Sequence, residues 1–145
     1  MITQEETARR IEHMIGAAIV RDTEQTADIL TGLGESLGPT GMYGVCCAVA
    51  EVGKGCLTML YGDQAPKTAE DMWVFEEVEP GALADDAAGT FAMRFLVAYA
   101  NGDRTTALAL YNATLTGGGD HHVRSVCTLV SNVAGLARLA LEQNA

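Results

Sequence analysis

Basic side chains are scarce in this 145-residue chain: two Lys and seven Arg stand against 19 Asp and Glu, for a formal net charge of −10. Neutralising phosphates needs clustered Lys and Arg, so nine scattered bases exclude a nucleic-acid backbone and an anionic membrane surface as partners. Long hydrophobic runs are missing too. The longest nearly uncharged stretch, residues 38–50, is 13 residues, well short of the roughly 20 that span a bilayer, so no transmembrane helix is expected. The start, MITQEETARRIEHM, puts Glu5, Glu6 and Glu12 where a secretory signal needs an apolar run; the prediction is no signal peptide and a cytoplasmic location. Cysteine pairs at CxxC spacing are also absent. Cys46, Cys47, Cys56 and Cys127 instead sit inside apolar runs, which reads as buried thiols and not as a zinc site or a disulfide framework. Lys being so rare beside Arg, in a chain rich in Ala and Gly, points to a GC-rich bacterial genome.

What is present is apolar and helical. With 48% hydrophobic residues, only three Pro and a mean hydropathy of +0.13, the chain is neither disordered nor fibrous, and its length fits one domain over 1–145. Thr3 followed by Glu6 is a capping box, and Ile11, Ile15, Ala18 and Ile19 follow at helical spacing, predicting a helix over about 4–20. Asp22 caps a second helix carrying Ala27, Leu30 and Leu33 on one side. Gly38 and Pro39 then punctuate, with Pro39 suited to the first turn of a third helix over about 40–60. That helix shows the stripe Met42, Val45, Val49, Val52, Cys56 and Met59. Beside it run Gly41, Gly44, Ala48 and Gly55, a pattern expected for close approach of another helix, or for clearance around a ligand.

Residues 61–87 break the pattern. Pro66 and Pro80 interrupt them, a single helical turn is expected near 67–71, and only MWVFEEV has strand-like composition. We read the segment as an extended arm anchored by Trp73 and Phe75, on its own core or on another subunit. Between Asp63 and Asp86 lie eight acids and one base, Lys67, so this arm carries most of the chain's negative charge.

The second half repeats the punctuation of the first. AAGTFAMRFLVAYA aligns Phe91, Phe95 and Ala98; Asp103 caps a helix with Ala107, Leu110 and Tyr111 inward; Asp120 caps a last helix with Val123, Val126, Val130, Val133, Ala137 and Ala140 in line. Sliding the chain by 80 residues pairs Ala18 with Ala98, Leu30 with Leu110, Cys47 with Cys127 and Gly55 with Gly135. The expected architecture is all-α: about six helices in two three-helix halves, 3–60 and 88–143, with the two apolar third helices packed together at the centre. The stretch AYANGDRTTALALYNATL locally resembles one helix-turn-helix of a tetratricopeptide repeat, with Tyr99, Gly102, Ala107 and Tyr111 near that pattern's small and aromatic positions. No Pro closes the unit and no further period follows, so no function transfers.

Few residues offer chemistry. Asp120, His121 and His122 bring three potential metal ligands together in sequence, but consecutive histidines diverge on a helix, and the simpler reading is Asp120 as an N-cap with the histidines in the solvated first turn. TGGGD at 116–120 precedes a helix without the GxxxxGK[ST] fingerprint or a leading strand, so no phosphate or cofactor site is assigned. The carboxylate pairs Glu76/Glu77 and Asp85/Asp86 are solvated, which does not set up acid–base catalysis. The expectation is therefore a non-catalytic interaction or scaffold protein, a homodimer, with a basic protein as a further partner of the acidic arm. The alternative is a small-molecule binder or enzyme with an apolar pocket between the halves, lined by Tyr43, Trp73, Tyr99 and Tyr111.

Overall fold

The computed structural model describes residues 2–67, 71–76, 81–118 and 120–144. Among these the chain forms five α-helices and no strand: α1 (Gln4–Ile19), α2 (Thr23–Tyr61), α3 (Ala87–Ala100), α4 (Arg104–Thr116) and α5 (His121–Gln143), with a short 3-10 turn over Gly62–Gln64. Thr3, Asp22, Asp86 and Asp103 each accept a hydrogen bond from the backbone N–H three residues on, satisfying one of the donors that a helix start leaves open.

The count falls from six to five because residues 23–61 run as one kinked helix. Gly38 alone leaves the helical path, at φ 67 and ψ −178, a conformation essentially restricted to glycine. Pro39 explains the break, since its ring disfavours the helical region at the preceding residue and it has no N–H to continue the ladder. One residue out of register bends the axis without opening a loop.

Two corners reverse the chain, and both close α-helices in the same way. At the end of α1 the N–H of Arg21 donates to Ala18 O at 3.1 Å and that of Asp22 to Ala17 O at 2.9 Å; at the end of α3 Gly102 donates to Tyr99 O and Asp103 to Ala98 O, both at 2.9 Å. These are Schellman closures, with Arg21 (φ 62) and Gly102 (φ 76) in the left-handed position.

α2 packs most extensively on α5, then α3 on α5 and α1 on α2. Met14, Leu33, Cys46, Val49, Phe95, Leu129 and Val133 meet in one core, and Cys56, Ala137 and Ala140 extend the α2–α5 contact in a smaller cluster. Gly53 is the point of closest approach. A Cβ built there would lie 2.8 Å from Leu96 Cδ1 and 3.0 Å from Val133 Cγ2, so any larger residue makes the Leu96 and Val133 side chains give way where α2, α3 and α5 meet. Gly55, expected in that role, has open space around it. Arg138 ties α5 to α1: its Nη1 donates to Ala18 O and Ile19 O at 3.0 and 3.1 Å, a cation placed at the negative end of a helix.

The expected stripe on residues 40–60 drifts out of the core. Steps averaging about 3.4 residues fall behind a 3.6-residue turn, so Val52 and Met59 lie roughly 80° and 100° round the axis from Met42. Both are exposed, and Cys46, Ala50 and Gly53 complete the buried arc. Val123 and Ala27 are exposed too, while the rest of the α5 stripe, Val126 to Ala140, is buried. Cys46 and Cys56 are buried as expected, but Cys47 is half-buried and Cys127 is exposed. By length and composition Thr23–Gln64 is apolar enough to cross a membrane, with an 18-residue window of mean hydropathy 1.3; a third of that window (33%) is buried inside the fold. Counting uncharged runs misses this, because isolated charges such as Glu51 and Lys54 scarcely lower a window average.

Candidate functional site

The arm packs on its own chain. Trp73 N–H donates to Asn101 Oδ1 at 2.7 Å, and Asn101 Nδ2 donates back to Trp73 O at 3.0 Å. The side-chain amide thus holds the arm backbone at two points. The Trp73 ring meets Tyr61 edge-on, centroids 5.6 Å apart. Extended backbone alternates its side chains, so Trp73 and Phe75 turn inward while Met72 and Val74 stand 65% and 79% exposed. The helical turn expected near 67–71 and the end of MWVFEEV fall largely on residues 68–70 and 77–80, outside the described residues, as do the acids Glu70, Glu77 and Glu79.

Between the arm and the helices lies an open groove of about 1190 Å³. Its floor comes from α3 and α5, through Met93, Leu96, Val97 and Leu136, and its walls from Leu57 and Tyr61 of α2, the arm aromatics, and Leu83. Polar side chains are few: Thr128, Ser131 and Asn132 on α5, Gln64 after α2, and Glu76 and Asp86 on the arm side. Four exposed apolar residues, Tyr61, Met72, Val74 and Leu139, line it.

The other three expected pocket residues gather elsewhere and fill their space with rings. Tyr43 packs against Tyr111 with centroids 5.4 Å apart and against Phe95 at 6.3 Å. Tyr111 is fully buried, and its hydroxyl donates to the carbonyl of Pro39, directly at the kink of α2. His122 Nε2 lies 3.1 Å from the same hydroxyl. Since the one phenolic proton is given to Pro39, His122 must donate, which places its proton on Nε2. Burial pushes the Tyr111 hydroxyl up to about 12; burial, aided by the neighbouring His121, holds His122 below its ordinary value, so the ring is neutral at pH 7. Burial also raises the Cys46 thiol to about 12, which makes it unreactive. Tyr99 lies under the Arg104 guanidinium, 4.0 Å from the ring centre, a cation–π contact.

The Asp120, His121, His122 trio does not converge. Asp120 makes no side-chain cap and instead pairs with Arg124 at 3.0 Å, while His122 turns inward to Tyr111 and is half-buried. Among the described residues no group of three or more His, Cys, Asp or Glu is placed to hold a metal ion. The small residues Gly41, Gly44 and Ala48 face α1 across a second, smaller cleft of about 490 Å³, with Ile11, Ile15 and Val52. A Cβ at Gly44 would meet nothing within 4 Å, so close helix packing does not demand glycine at this position.

Reading the sequence missed Asn101, Tyr61 and Leu139. Asn101 looks like an ordinary turn residue beside Gly102, and nothing local says that its amide reaches back 28 positions. Comparison of the chain with known protein families, curated proteins and solved structures finds no significant match.

Proposed function

We propose that this protein is a non-catalytic, all-helical interaction module and that the groove beneath the arm is its working surface. One observation carries the reading: four exposed apolar side chains, Tyr61, Met72, Val74 and Leu139, stand in water around one groove. Each large apolar side chain left exposed forgoes about 1.5–3 kcal/mol of burial, and when such residues collect at a groove they mark a binding surface. Trp73 and Phe75 act as walls, with Trp73 held by Asn101 and Tyr61. Tyr43, Tyr99 and Tyr111 serve the core and the kink. The two halves, 3–60 and 88–143, are read as copies of one three-helix unit, a proposal supported by the matching hydrogen bonds of the two corners.

The groove is tested with the uncharged dye N-phenyl-1-naphthylamine, which accepts energy from tryptophan. Trp73 is the only Trp in the chain, and dye in the groove quenches its emission. Val74 and Leu139 are exposed, so Val74→Glu with Leu139→Glu spares the fold, and the expected loss in dye affinity is about tenfold. Dye binding that is absent, or untouched by the double substitution, overturns the reading.

A small-molecule binder is the second reading. The smaller cleft between α1 and α2 favours it, because about 490 Å³ falls within the usual range for small-ligand pockets.

A further inference from the structure

We propose that the groove takes a basic amphipathic helix from a partner protein, an inference that rests on the groove being the working surface. Its shape is the first argument. Small-ligand pockets usually enclose about 300–1,000 Å³, whereas this groove holds about 1190 Å³ and is open along one side. An apolar floor between two helices, open to solvent, matches the way proteins seat the apolar face of a helix.

Charge is the second. The charged side chains lining the groove among the described residues are Glu76 and Asp86, both acidic. Asp63, Asp71 and Asp85 stand exposed along the same arm. The arm's one base, Lys67, lies 3.9 Å from Asp63. Across the groove α5 offers Thr128, Ser131 and Asn132, all neutral. A helix lying apolar face down would therefore meet Glu76 and Asp86 along one flank, with Arg94 beyond Phe75 and Leu83, and no charged lining residue along the other. Lys or Arg on that flank is complementary; Glu or Asp there is repelled.

The same charge disfavours a second copy of this chain. Eight acids against one base between Asp63 and Asp86 put two like-charged arms face to face in any symmetric dimer through this groove, because a twofold interface brings the same patch to itself.

The experiment is displacement of N-phenyl-1-naphthylamine from the full chain by two synthetic helical peptides of about 15 residues. They share one leucine face, and one carries Lys and the other Glu on the polar face. The Lys peptide is expected to displace the dye, less well as salt rises, and the Glu peptide to fail. The triple substitution Asp71→Asn, Glu76→Gln, Asp85→Asn is expected to weaken the Lys peptide about tenfold. The charge-matched control Glu5→Gln, Glu35→Gln, Glu142→Gln, on exposed helix positions, is expected to leave it unchanged. Equal displacement by both peptides, or equal losses in both triple variants, overturns the inference. Displacement by a long-chain alkylammonium ion but by neither peptide replaces the helix with a small lipophilic cation. A dimer in sedimentation equilibrium that Val74→Glu with Leu139→Glu dissociates replaces it with a second copy. If the dye itself does not bind, the groove reading fails, and not merely the identity of its occupant.

Discussion

The two halves of the chain solve the same corner alike and the next break differently. Both corners form a Schellman closure followed by an Asp cap, Asp22 accepting from Gln25 N and Asp103 from Thr106 N, each at 3.1 Å. Yet the left-handed residue is Arg21 in one and Gly102 in the other. Hydrogen bonds on both sides of that residue impose its conformation even on a side chain that disfavours it. One helix later the halves part. The first passes through Gly38 and Pro39 without leaving the helix for more than one residue; the second stops at Thr116 and restarts at His121. The bond from Tyr111 to Pro39 O crosses from the second half to the first and fastens the kink. Local closures can thus be built from sequence-adjacent groups alone, whereas a kink inside a long helix is held by a group 72 residues away.

Five substitutions, at three places in the fold, test how far this comparison holds. The largest effect is expected at the centre, where Gly53 of one half meets Val133 of the other. Gly53→Val should lose about 3 kcal/mol in urea unfolding through overpacking. On the facing helix Gly135→Ala, whose Cβ would meet only the Arg138 Nη2 at an ordinary 3.8 Å, should gain up to about 1 kcal/mol. Equal responses at the two glycines would show that the close approach at Gly53 is not what holds the halves together.

Next comes the latch. Tyr111→Phe removes the donor to Pro39 O and leaves the half-buried His122 N–H without its acceptor, for an expected loss of about 2 kcal/mol. Amide exchange should accelerate beside the kink, at residues 40–44, before it does so at the first corner. Uniform acceleration along α2 would mean that Tyr111 contributes packing alone.

The smallest effect belongs to the corners. Relief of the left-handed Arg21 by Arg21→Gly should raise stability by about 0.5–1 kcal/mol, and Gly102→Ala should lower it by about 1 kcal/mol. Opposite signs at matched positions are the outcome to look for in urea midpoints; the same sign at both would break the equivalence of the two corners.

Much of the helical layout is legible in the sequence because its causes are local. Thr3, Asp22 and Asp103 announce helix starts through their own side chains, and Gly38–Pro39 announces the break. The break reads as two helices, since the rule that ends a helix before proline says nothing about whether the chain then turns away. Asp120 reads as a cap for the same reason, but pairing with Arg124 competes for its carboxylate. The stripe on 40–60 misleads at Val52 and Met59 because a regular three-and-four spacing looks like one face, although it drifts round the axis over five turns. The site is less legible. Trp73 and Phe75 stand out as arm anchors by composition, but the amide that holds them and the leucine that faces them lie on α3 and α5, with no local signature.

The sequence by itself determined that this chain is helical, where most of its helices begin, and that its acidity belongs to the segment between two helical halves. Those properties follow from neighbouring residues, through capping, spacing and the conformational limits of Gly and Pro. Only the tertiary structure decided that the aromatics split between a groove and a core cluster, that Gly53 is the glycine the centre requires, and that the acidic arm borders an apolar surface. Such outcomes depend on which side chains meet across long stretches of chain, and the energy of a contact is fixed by the partner it finds, not by its own neighbours in sequence.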